Sequence, residues 1–146
     1  MNTTVPGTAT ATGNAQVVRD FYAALNRGDL EAARRTLAPD TVLHVPGRSS
    51  NTGDYEGREA VVGFVVGAST VTLGTLTLHL HRVLADDEQA VALATYTATR
   101  PGLDVPLENN LAHVMTMRDG LIAESWLHSR DQYEVDAFWG ASPVKA

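Results

Sequence analysis

Three of the five histidines, His44, His113 and His128, are placed so that acid–base chemistry could be built on them. Imidazole titrates near pH 6.5 in water, and burial among apolar groups disfavours its cation. A neutral ring takes a proton from an acidic carbon or hydroxyl, and a charged neighbour gives one back. Such positioned proton transfer is worth about 10²–10⁴ in rate, enough for a substrate that is already reactive. Each ring also has a plain structural reading, as a core histidine bonded to a backbone carbonyl. No spacing here resembles a local metal-ligand motif, so no metal is expected, and no other cofactor. His79 and His81 alternate with leucines beside Thr75 and Thr77 and read as solvent- or interface-facing.

The elements that must position these rings come next. His113 and His128 lie in a hairpin from Glu108 to Asp131, turned at Asp119-Gly120, a pair that tolerates positive φ. In its first arm Leu111, His113, Met115 and Met117 alternate with Ala112, Val114, Thr116 and Arg118, so one face is apolar except for a histidine. In the second arm Ile122, Trp126 and His128 are expected to share a face, with Glu124 at the same parity. Few polar groups in a wide apolar surface is how a small-molecule pocket reads. Phe21, Tyr22, Tyr96, Leu111, Met115, Met117 and Trp126 are its candidate walls. Asn109 falls on the face of His113 and Asn110 opposite, unless a bulge exchanges them. Asp131 reads as a helix cap, and Arg48 as a rim residue or an exposed loop arginine.

Residues Met1 to Gly13 are uncharged and rich in Thr, Ala and Gly, and are expected to be a disordered tail. A helix follows from Asn14, with Val17, Val18, Phe21, Tyr22 and Leu25 on its apolar side, ended by Gly28. Asp29 caps a short second helix, roughly Leu30 to Leu37, stopped by Pro39. Thr41 to Val45 is a strand carrying His44, and Arg48 to Glu56 a polar loop of the kind that rims a site. A third helix is expected from about Gly57 to Ala68. Strands then run from Leu73 to Ala85, from Gln89 to Arg100 and through the hairpin, before a short helix after Asp131. The expected class is α+β: a cone-shaped barrel in which a curved antiparallel sheet carries three helices on its concave side around a pocket. Residues 14–146 are read as one domain.

The totals narrow the function. The chain has 146 residues, enough for one domain with a real core. A net charge of −6, with no Lys/Arg run, argues against nucleic acid or an anionic membrane as partner. The absence of cysteine excludes disulfides and thiolate catalysis. With no membrane-length apolar run and no signal-like start, a cytoplasmic protein is expected.

The order helix-Gly-Asp-helix, then Pro-Asp-Thr-Val-Leu-His-Val-Pro-Gly, Tyr-Glu-Gly-Arg-Glu-Ala-Val and Asp-Gly-Leu-Ile-Ala-Glu-Ser-Trp resembles the nuclear transport factor 2-like superfamily. Within it, the chain is most similar to SnoaL-like polyketide cyclases and their ketosteroid-isomerase relatives, over about Asn14 to Gly140. The resemblance implies site positions at His44, where the isomerases hold a carboxylate base, and at His113, where they hold a protonated Asp. It puts Phe21 at the isomerase tyrosine, with Tyr22 adjacent, and His128 near an epoxide-hydrolase Asp. It therefore implies a small cofactor-independent cyclase or isomerase for an apolar polyketide- or terpenoid-like intermediate of secondary metabolism. Alternatives are a non-catalytic carrier and, lower, an epoxide hydrolase. The resemblance also implies a homodimer formed through the outer sheet face.

Overall fold

The computed structural model describes residues 10–140. Along the chain come α1 (Ala11–Asn26), α2 (Leu30–Arg35), β1 (Leu37–Val45), β2 (Gly53–Glu56), α3 (Arg58–Val71), β3 (Thr77–Ala85), β4 (Gln89–Ala98), β5 (Leu107–Arg118), β6 (Leu121–Ser129) and α4 (Gln132–Trp139). The strands form one curved six-stranded sheet in the order β2-β1-β6-β5-β4-β3. The expected α+β cone is the fold observed.

Local chemistry explains most boundaries. Helix α1 starts earlier than its apolar stripe, because the Thr10 hydroxyl accepts a hydrogen bond from the Gly13 N–H at 2.9 Å and caps the first turn. Residues 10–13, expected as the end of a tail, are thus cap and helix. The remainder of that expected tail lies outside the described residues. Asp29 caps α2 through the Ala32 N–H at 3.0 Å. The strand after it begins at Leu37 rather than Thr41 and runs through Pro39. Proline has no N–H to give, and the β1–β6 register breaks between Leu37 and Val42, so the missing donor falls in the interrupted stretch.

Three further departures shape the sheet. Gly53–Glu56, expected as loop, pairs antiparallel with β1 as an edge strand. Strands β1 and β6 run parallel, so the sheet is mixed rather than wholly antiparallel. Helix α3 continues to Val71, and a turn with Leu73 and Gly74 at positive φ delays β3 to Thr77.

The β5–β6 hairpin turns at Asp119 and Gly120, both at left-handed φ, as their types require. Its ladder has one irregularity. Thr116 faces Glu124 and Met117 faces Ile122, leaving Ala123 as an extra residue, a β-bulge. With a second register shift between Leu80 and Arg82, it bends the sheet around the helices. Inside, Ala90, Ala92 and Ala94 of β4 face Val18, Phe21, Leu111 and Met115 in the main core. Elsewhere an open space remains between sheet and helices. Ala68, Leu107, Phe138 and Trp139 form a second cluster under α4.

Candidate functional site

That space is a cavity of about 170 Å³ between the concave face of the sheet and helices α1, α3 and α4. Phe21, Leu25, Leu43, Phe64, Leu111 and Leu127 supply much of its apolar wall. Its polar groups come from Thr, Ser, Asn, Gln, Tyr and His; among the described residues no Asp, Glu, Lys or Arg lines it. Leaving an ion unpaired in such a place costs several kcal/mol or more, so the cavity is built for a neutral guest.

One sequence-predicted histidine looks into it. His113, on the inward face of β5, is 6% exposed, and its Nδ1 lies 3.0 Å from the Tyr22 hydroxyl of α1. Among the described residues its buried Nε2 has no hydrogen-bond partner. Burial pushes the imidazole pKa down to about 4 and the Tyr22 hydroxyl well above its ordinary 10, so both are neutral at pH 7. Counting donors then fixes the tautomer. If the Tyr22 O–H donates to Nδ1, the only orphan is one N–H, at Nε2; the opposite arrangement strands both the phenol hydrogen and an Nε2 lone pair. His113 lines the cavity, and its ring keeps one N–H, at Nε2, that no described residue accepts. Phe21 packs against it with ring centroids 6.4 Å apart.

His44 and His128 do not join it, which corrects the expectation of three imidazoles in one cup. In β1 the inward residues are Thr41, Leu43 and Val45, and the strand's alternation turns His44 to the outer face. There its Nδ1 and Nε2 sit 2.7 Å from Asp54 and from Glu124 respectively, and its ring stacks on Trp126 at 5.4 Å. Hydrogen bonds to Asp54 and then Glu124 raise its pKa. His128 is exposed. The bulge at Ala123 explains it: Ile122 faces inward, but beyond the extra residue the parity changes, so Glu124, Trp126 and His128 face outward together. Ser125, Leu127 and Ser129 line the cavity in their place. Their hydroxyl–apolar alternation was the available signal for them. Trp126, expected as a wall, belongs to the outer face. Met115 and Met117 share the face of His113 but lie nearer the turn, where the core closes around them and leaves no open space.

The other expected walls, Phe21, Tyr22, Tyr96 and Leu111, do line the cavity. A second polar group gathers at the α4 end. The Trp139 indole N–H donates to the Tyr96 hydroxyl at 2.9 Å, and Asn109, opposite Tyr96 in the ladder, donates to the Ser129 hydroxyl at 3.1 Å. Asn109 is inward and Asn110 outward, as a regular strand requires. Asp131 caps α4 through the Glu134 N–H. The loop between β1 and β2 clasps α4 over the cavity: Arg48 N–H reaches Asp136 at 3.0 Å, and Ser50 binds the carbonyls of Trp139 and Gly140. Among the described residues no cluster of His, Asp and Glu could hold a metal.

Similarities to known proteins agree with this construction. The SnoaL-like domain profile matches residues 18–125. The uncharacterized protein Rv0034 of Mycobacterium tuberculosis is 31% identical over 124 residues, covering 84% of this chain and 93% of that protein. Bal32a, from a soil-derived mobile gene cassette, superposes with a TM-score of 0.85 at 32% identity, covering 89% of this chain and 98% of its own. IdmH of Streptomyces antibioticus, a candidate polyketide cyclase, shares the fold at a TM-score of 0.67 and 23% identity, over 80% of this chain and 91% of its own.

Proposed function

We propose a function from one premise: the chain belongs to the SnoaL-like domain family of the nuclear transport factor 2-like superfamily. It encloses a neutral, largely apolar ketone, of the polyketide or terpenoid kind, and promotes its cyclisation or isomerisation. The observation that carries this reading is His113, which lines a cavity to which no described Asp, Glu, Lys or Arg contributes and whose buried Nε2 has no partner among the described residues.

Neutral His113 donates its Nε2–H to the ligand's carbonyl oxygen, and Tyr22 holds the tautomer that makes this possible. As an α-proton leaves to water at the mouth, charge moves onto that oxygen, where the hydrogen bond strengthens in a dry setting. In a ring closure the enol carbon attacks a second carbonyl of the same molecule. One C–C bond forms, the second oxygen takes up a proton, and no atoms are lost. The walls contribute by holding the flexible chain folded. Polyketide cyclisation is the role suggested for IdmH, which shares this fold.

A carrier without turnover is the second reading, favoured by the absence of any carboxylate base from the cavity wall among the described residues. That absence also weighs against carboxylate-driven epoxide opening. A small methyl ketone separates the first two. Incubated with 4-acetylbiphenyl in D₂O, the protein is expected to accelerate exchange of the methyl hydrogens, and His113→Phe to lower that acceleration about 10²-fold. Binding with no acceleration supports the carrier. Unchanged exchange in His113→Phe removes the histidine from the chemistry.

A further inference from the structure

The cavity has two polar stations, and only one is used by the reading above. At the second, Tyr96 is held by the Trp139 indole, which donates to its oxygen. A phenol oxygen filled in this way keeps its own hydrogen to give. Tyr96 lines the cavity, and burial raises its pKa, so the hydroxyl is an un-ionised donor. Asn109 and Ser129 stand beside it, bonded to each other and adding further polar atoms to the same wall. Along β5 the inward residue between the stations is Leu111, which lies between Asn109 and His113.

The spacing follows from the ladder. Tyr96 pairs with Asn109, and Ala92 with His113, so the stations lie four residues apart along both strands. At about 3.4 Å per residue that is roughly 14 Å between backbone positions. That is the scale of a two- or three-ring skeleton carrying an oxygen at each end.

We infer that the ligand is a neutral molecule with two oxygen functions at opposite ends of a rigid apolar body, one received by His113 and the other by Tyr96. This rests on the proposed reading of the cavity and adds Tyr96 as a specificity-determining residue. A ligand oxygenated at one end only leaves the Tyr96 hydroxyl to its neighbour Asn109 and forgoes one hydrogen bond to the protein, which lowers its affinity.

The test compares 4-acetylbiphenyl with 4,4′-diacetylbiphenyl, two neutral rods that differ by one terminal carbonyl, on the full chain. Isothermal titration is expected to show the diketone binding roughly five- to tenfold more tightly, the value of one added hydrogen bond. In Tyr96→Phe the ratio of the two affinities falls to about one, whatever the absolute affinity of either probe. Infrared difference spectra give a readout independent of affinity: both carbonyl bands of the bound diketone shift to lower frequency in the wild type, and one returns in Tyr96→Phe. Equal affinity of the two probes, or an advantage that survives in Tyr96→Phe, overturns the two-ended ligand and leaves the His113 reading standing. Failure of both probes to bind sinks the cavity reading itself, and this inference with it.

Discussion

The depressed basicity of His113 makes the protein acid-sensitive in a defined window. In the unfolded chain the ring titrates near 6.5, while burial in the fold holds it to about 4. Between those values the unfolded state carries a proton that the folded state refuses. Stability therefore rises with pH across the window and is lost as pH falls through it. At 1.36 kcal/mol per pH unit the full loss approaches roughly 3 kcal/mol, a large share of a typical domain's stability. His113→Phe removes the titrating group while conserving an aromatic ring. Urea unfolding of both proteins at half-unit steps from pH 4 to 7 isolates the effect, because the other titrating groups largely cancel in the difference. The wild type is expected to lose about 2–3 kcal/mol more than the variant over that range. Parallel pH profiles would refute the buried, neutral ring, and with it the donor assigned to the cavity.

Other expectations follow from single features. His44 titrates in the opposite sense: its raised pKa gives stability that is fully present below 6.5 and lost as pH rises through the folded value. Asp54→Asn should therefore lower the His44 pKa seen by NMR, and cost most stability on the acid side. Val65→Trp, on the cavity wall, should abolish binding of 4-acetylbiphenyl at a stability change below about 2 kcal/mol; retained binding would place the probe elsewhere. Gly47 has φ 96°, and a Cβ there would collide with Asp136 and Gln132 of α4. Gly47→Ala should cost about 1–3 kcal/mol and increase amide exchange in α4; a thermal melt matching the wild type counts against the clasp. A homodimer through the outer face should sediment at twice the chain mass, and Trp126→Lys should return it to monomer.

The sequence carried the fold plainly because its punctuation is local. Asp29, Asp131 and the Asp119-Gly120 turn act within three residues of themselves, and each does what its side chain or backbone freedom demands. The site was half legible for the same reason. The unbroken alternation of β5 carried His113, Leu111 and Asn109 to the correct face. His44 was placed by counting along a resemblance, and both parities of Thr41 to Val45 are largely apolar, so alternation could not arbitrate. Its partners Asp54 and Glu124 are ten and eighty positions away. Trp126 and His128 were lost to one unpaired residue, Ala123, which leaves no mark in composition. The two stations, by contrast, depend on which strand residues stand opposite each other, and only the register shows that.

The bulge has a consequence for how the hairpin is kept in phase. Strand β6 carries two complete linings, one of hydroxyls and leucine and the other of carboxylate, indole and imidazole, and a slip that paired Ala123 with Thr116 would exchange them. What opposes the slip is Glu124, whose ionised carboxylate would then have to enter the greasy interior with no cation to meet it. The acid that clamps His44 outside thus also works as a ratchet tooth, holding the strand in the phase that keeps the chamber uncharged.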